Sequence, residues 1–119
     1  MATILIVEDN PNNMKLAQLL LETSGHDVLQ AVNALDGINI ARSHAPEMIL
    51  MDIQLPGMDG LTAARLLKQD AQTSHIKIIA LTAFAMKGDE EKVRQAGCDG
   101  YIAKPIRYKE FLQTIDALL

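Results

Sequence analysis

The sequence predicts an open α/β sheet of five parallel strands with helices on both faces, and three observations carry that expectation. Apolar runs alternate with amphipathic stretches from one end of the chain to the other, the segments between them are short, and punctuating residues stand where the pattern changes. Strands are predicted at Ile4–Val7, Val28–Ala31, Met48–Met51, Ile76–Leu81 and Tyr101–Ala103. Helical periodicity appears over Pro11–Thr23, Leu35–Ser43, Leu61–Gln69, Gly88–Gln95 and Lys109–Leu119. Asn10-Pro11 reads as a cap with proline at the first helical position, and Gly25 stops that helix as Gly97 stops the fourth. An eight-stranded barrel needs roughly twice this length. Five alternating pairs in 119 residues instead give the flavodoxin-like, doubly wound (βα)5 order 2-1-3-4-5, a single domain over residues 1–119.

Composition narrows the functional classes. Apolar residues make up 49% of the chain, yet no run approaches membrane-spanning length. The start, Met-Ala-Thr-Ile-Leu, lacks the basic region and cleavage site of a signal peptide, so a soluble, cytoplasmic protein without membrane contact is expected. One cysteine, Cys98, cannot form an internal disulfide, and a small buried hydrophobe is expected there. A net charge of −4 gives no basis for nucleic-acid contact.

The polar residues at the strand exits carry the chemistry. In the expected order strands 1, 3, 4 and 5 are neighbours about 4.8 Å apart. Their ends therefore bring Glu8-Asp9, Asp52, Thr82 and Lys104 onto one rim. Carboxylates gathered there repel one another unless a cation intervenes or one is protonated. A hard divalent ion suits them: Mg2+, or Mn2+ in its place, held by Asp9, Asp52 and the backbone carbonyl of Gln54, with Glu8 on a metal-bound water. Asp52 is the candidate nucleophile toward phosphorus, Lys104 a compact positive charge for a phosphoryl oxygen, and Thr82 a hydroxyl donor to another. Taken singly, each has a plainer reading as a loop opener, turn former or solvated strand end; the combination is the signal. Pro105 directly after Lys104 fixes the lysine's direction if the bond is cis, and an ordinary trans turn is the alternative.

Four segments then carry a resemblance: ILIVEDN at 4–10, MILMDIQLPGMDG at 48–60, IIALTAFA at 78–85 and YIAKPI at 101–106. Along essentially its whole length the chain resembles the response-regulator receiver domains of two-component signalling. EDNPNNMKL and LTAFAMKGDEE resemble single-domain cell-cycle regulators of that family, and receivers within hybrid kinases carry similar segments. The resemblance implies that Asp52 is the phosphoacceptor, Glu8 and Asp9 the acidic metal-site pair, Lys104 the site lysine, and Thr82 with Tyr101 the switch pair. It implies a histidine kinase or histidine phosphotransfer protein as donor. It also implies a downstream protein partner on the surface of the fourth helix, fifth strand and fifth helix, with an activation-dependent dimer as one outcome. Glu8 is a common alternative to Asp in that family, and the resemblance implies metal binding that is intact but weaker. Tyr101 as a core filler is the plainer reading of that residue.

Other positions raise narrower expectations. Phe84, two residues beyond Thr82, is read either as a barrier to the water that hydrolyses the phosphoryl group or as a loop aromatic with no kinetic role. Leu16, Ala17 and Leu20 are read as the core stripe of the first helix, with Met14, Gln18 and Leu21 as a second stripe that either docks a kinase bundle or merely widens the core contact, the plainer reading. Met86 and Lys87, just ahead of Asp89-Glu90-Glu91-Lys92, are read as facing an output partner, with a merely solvated charged face as the plainer alternative, and His26, His44 and His75 as carrying neither phosphate nor metal. A haloacid-type phosphatase is disfavoured because Ile53-Gln54 follows Asp52 where a second aspartate belongs. A flavodoxin is disfavoured because Glu8-Asp9-Asn10-Pro11 is electrostatically wrong for a phosphate loop, and no P-loop motif occurs. The remaining rival is a receiver fold acting as a phosphorylation-independent interaction module. With the fifth helix at the end of the sequence, output is expected through protein–protein contact, by a stand-alone regulator or a piece of a larger protein.

Overall fold

The computed structural model describes residues 2–83 and 87–119, and within these the side chains of all but 87–89. Five parallel strands, β1 (Thr3–Val7), β2 (Asp27–Ala31), β3 (Met48–Asp52), β4 (Lys77–Thr82) and β5 (Gly100–Ala103), pair in the order β2-β1-β3-β4-β5. Helices α1 (Pro11–Thr23), α2 (Ala34–His44), α3 (Gly60–Gln69), α4 (Lys87–Gln95) and α5 (Tyr108–Leu118) follow the strands in turn. The expected class and strand order are both present.

The central strand explains the layering. Met48, Ile49, Leu50 and Met51 are all buried, as a strand covered on both faces requires. Alternation then divides the core in two. Leu5, Val7, Ile49, Met51 and Ile78 face α2 and α3, whereas Ile4, Ile6, Met48, Leu50, Ile79, Leu81 and Ile102 face α1 and α5. The edge strand β2 is only partly buried.

Local chemistry sets the helix starts. The Asn10 side chain accepts from the N–H groups of Asn12 (2.9 Å) and Asn13 (3.1 Å), with Pro11 in the first turn. Asp59 caps α3 through Thr62 N–H at 2.8 Å. Directly after it, Gly60 lies so close to the end of β3 that a Cβ would stand 2.0 Å from the Asp52 carbonyl oxygen. Only glycine lets α3 begin there, and its N–H donates to Ile53 O at 3.0 Å. That approach fixes the turn behind Asp52.

One expectation for α1 is corrected. Its core face is Met14, Ala17 and Leu21, a spacing of three then four residues, whereas Leu16 is 39% exposed. Met14 and Leu21 therefore pack inside and are not free to dock a partner. Gln18, half-buried, accepts a hydrogen bond from Gln30 of β2. The outward apolar residues of α1 are Leu16 and Leu19.

Candidate functional site

Sheet register and pleat assemble the rim. Val7 pairs with Met51, so Glu8 stands one step beyond, beside Asp52, on the face that the alternation of Ile4 and Ile6 sets. Glu8 N–H still donates to Ala31 O at 3.0 Å, which holds it in the strand direction. Asp52 pairs with Leu81, and Ile53 N–H donates to Leu81 O at 3.0 Å. Thr82 pairs with Ala103, and Thr82 O accepts Lys104 N–H at 2.7 Å, which carries β5 up to the same rim. The Lys104–Pro105 peptide bond is cis.

The side chains converge accordingly. Lys104 Nζ lies 3.0 Å from Glu8 Oε1 and 3.1 Å from Asp52 Oδ2. Glu8 and Asp52 are almost wholly buried, while Asp9 is exposed at the lip. Carboxylate oxygens of Glu8, Asp9 and Asp52 all lie within 4.8 Å of one another, a grouping that could hold a metal ion. Asp52 Oδ1 accepts Gln54 N–H at 3.0 Å, so the turn after β3 folds back over the carboxylate. Thr82 is buried at the end of β4.

Electrostatically the site is unbalanced. Among the described residues, three carboxylates face one ammonium. Burial, then the neighbouring Asp52 carboxylate, push Glu8 up to about 7, with Lys104 pulling the other way. Burial alone would lower Lys104, but its ion pairs with Glu8 and Asp52 win and raise it. Apart from the contact with Lys104, the Glu8 oxygens have no hydrogen-bond partner among the described residues. Buried acceptor oxygens with unfilled lone pairs are what a hard cation with its hydration water would satisfy. The donor set therefore fits a divalent ion.

Tyr101 stands apart from this cluster. It is 36% exposed and does not fill the core, and its hydroxyl donates to Glu90 Oε1 of α4 at 2.9 Å. Phe84 and Met86 lie outside the described residues, as does the side chain of Lys87. Cys98 is half-buried against the α2–α3 side of the core, its thiol pushed up to about 11 by burial and by Asp99. Two features escaped sequence reasoning: Glu90, whose pairing depends on how α4 packs on β5, and a second half-buried lysine link. There Lys68 Nζ donates to Ile76 O (2.7 Å), Ser74 O (3.3 Å) and Asp99 Oδ2 (3.1 Å). Its one sequence signal was a lysine one residue before the predicted end of α3.

Comparison with known proteins agrees with the fold. Residues 4–116 match the family model for the response regulator receiver domain. The chain is 50% identical to the polar-differentiation response regulator DivK of Brucella anthropi and to that of Brucella abortus, over 98% of this chain and 95% of each relative. The receiver domain of a sensor histidine kinase from Pseudomonas aeruginosa, solved with a magnesium ion in its active-site cleft, superposes with a TM-score of 0.91 at 34% identity, covering 98% of this chain and 96% of that one. The chemotaxis response regulator CheY4 of Vibrio cholerae shares the fold with a TM-score of 0.95 at 22% identity, covering 100% and 99% of the two chains. Strand order, an acidic rim and a match along nearly the whole length thus converge, and the chain belongs to the response regulator receiver domain family of two-component signalling.

Proposed function

We propose that this chain, as a single receiver domain over residues 1–119, accepts a phosphoryl group from a phosphohistidine onto Asp52 in a Mg2+-dependent reaction. The observation that carries the reading is the convergence of buried Asp52 and Glu8 on Lys104, in which one ammonium pairs with two carboxylates among the described residues. The magnesium-bound receiver from Pseudomonas aeruginosa supports the choice of ion. Asp9, Asp52 and the Gln54 carbonyl would hold Mg2+, with Glu8 on one of its waters. The ion supplies charge neutralisation for the carboxylates and for the incoming phosphoryl oxygens.

The chain's own groups do the rest. Asp52 Oδ2 attacks phosphorus while the P–N bond to the donor imidazole breaks, giving an acyl phosphate and a free histidine. Lys104 Nζ, already 3.1 Å from that oxygen, turns from carboxylate to phosphoryl oxygen as negative charge moves outward. Gln54 N–H holds Oδ1 so that the other oxygen is the one presented. The new group adds about −1.5 to −2 charges. Thr82 is drawn toward it, and Tyr101 follows inward on the same sheet face. The surface of α4, β5 and α5 then reads out the state to a protein partner.

Incubation of the whole chain with a labelled small phosphodonor, with and without Mg2+, tests this. One phosphoryl group per chain, lost with EDTA and in Asp52→Asn, is expected. Undiminished incorporation in Asp52→Asn overturns the assignment. No incorporation by the wild type under any condition favours the phosphorylation-independent module.

A further inference from the structure

We propose that Glu90 is a positioning residue for the switch: from α4 it accepts the Tyr101 hydroxyl and latches that ring outward, holding the receiver in its unphosphorylated surface. The proposal rests on the reading of Tyr101 as the responding residue. Register supplies the first part of the argument. Ala80 pairs with Tyr101 and Thr82 with Ala103, so the pleat puts Tyr101 and Thr82 on one sheet face, a diagonal step apart. A tyrosine so placed can turn toward Thr82 or away from it, and its contacts in the outward position decide the balance.

The outward position is defined by α4. The hydroxyl reaches a carboxylate at 2.9 Å, a charge-assisted bond, and the ring borders a groove of about 220 Å3 beside Val93, Cys98 and Gly100. Glu90 belongs to the run Asp89-Glu90-Glu91-Lys92, which reads in sequence as a uniformly solvated face. The structure separates its members: Glu91 lies 4.0 Å from Arg94 on the same helix, whereas Glu90 turns to β5. The Glu90 hydrogen bond and negative charge also raise the Tyr101 phenol above its ordinary value.

The strength suits a switch. An exposed hydrogen bond of this kind biases an equilibrium by roughly 3- to 10-fold, enough to favour one rotamer and little enough for a phosphoryl group to overturn. On release the carboxylate returns to water, the ring leaves the groove, and α4 loses a tie to β5. The readout surface therefore changes on both elements at once.

The test uses the full unphosphorylated chain with Tyr108, the only other tyrosine, changed to Phe so that one labelled ring reports. Carbon-13 ring shifts follow the rotamer and a phenol titration follows the pairing. Glu90→Ala is expected to raise the inward fraction roughly 3- to 10-fold and return the phenol toward its ordinary value. Glu90→Gln, whose amide oxygen still accepts, is expected to keep the outward ring while losing the charge effect on the phenol. Identical ring shifts and titration in wild type and Glu90→Ala overturn the proposal. So does a change in melting temperature with no change in the ring. Because no phosphodonor is present, this result stays distinct from failure of Asp52 to take up phosphate.

Discussion

The sheet carries a half-buried lysine at each end, and the two solve opposite problems. At the amino ends of β4 and β5, Lys68 donates to two carbonyls and to Asp99, whose Oδ2 also accepts Ile78 N–H at 2.9 Å. One positive charge meets one negative charge, and each has further partners. At the carboxyl ends, Lys104 faces Glu8 and Asp52 with Asp9 at the lip, leaving an excess of two negative charges and unfilled Glu8 oxygens. The first arrangement is complete and ties α3 to the sheet. The second keeps unbalanced negative charge, which the proposed cation and incoming phosphoryl group would use, and that separates a site from a strut.

Exchanging each lysine for methionine breaks the comparison most sharply. Lys104→Met is expected to abolish productive signalling and to leave two buried carboxylates uncompensated, so that the variant depends strongly on Mg2+ for its melting temperature. Lys68→Met is expected to lower stability by about 1–3 kcal/mol, because Ile76 O and Asp99 lose a half-buried partner, while phosphoryl uptake at Asp52 keeps its stoichiometry. Thermal melts paired with phosphodonor labelling separate the two signatures. If Lys68→Met loses labelling while remaining folded, the assignment of one end to structure and the other to chemistry fails.

Acidity provides the next test. Glu8 is raised from its ordinary range near 4.5 to about 7, so the folded chain binds a proton there that the unfolded chain releases. Stability from this group is therefore greatest below about 4.5 and is lost as pH rises through about 7. In EDTA-treated protein the loss is expected to be on the order of 2–3 kcal/mol. Glu8→Gln should flatten the profile, and saturating Mg2+ should restore stability on the alkaline side. A wild-type profile that is flat from pH 5 to pH 8 in EDTA would show that Glu8 is already balanced.

Most of the fold and much of the rim were legible in the sequence, for a physical reason. Strand exits are set by apolar run lengths, and a parallel sheet aligns those exits whatever the helices do, so Glu8, Asp52 and Lys104 met as expected. Helix faces were less legible. The apolar residues of α1 cluster densely enough for two stripes to be drawn, and only packing against α5 and the sheet selects Met14, Ala17 and Leu21. Glu90 and Lys68 were invisible for a related reason: each depends on the approach of two elements distant in sequence, and a charged residue in a charged helix gives no periodic signal. The tight start of α3 at Gly60 lies between these cases, since the Pro-Gly turn was readable but not the carbonyl it must clear.

A third charge pair gives the smallest effect and the finest test of the comparison. Arg42 Nε lies 2.9 Å from Asp70 Oδ2 on the surface between α2 and the end of α3, with the arginine side chain 48% exposed. The Gln72 N–H and then Arg42 hold the Asp70 carboxyl below its ordinary value. That contribution is present above the ordinary carboxylate value of 3.8 and disappears as acid carries the pH down through the lowered one. Water screens the pair, so Arg42→Ala is expected to move the melting temperature little at neutral pH and less in high salt, with labelling unchanged. Pairing alone would predict that Arg42 and Lys68 matter equally, since each meets one aspartate. If Arg42→Ala proves as damaging as Lys68→Met, burial and the satisfaction of carbonyls are not what distinguishes a strut from a surface pair, and the contrast between the two ends of the sheet must then rest on net charge alone.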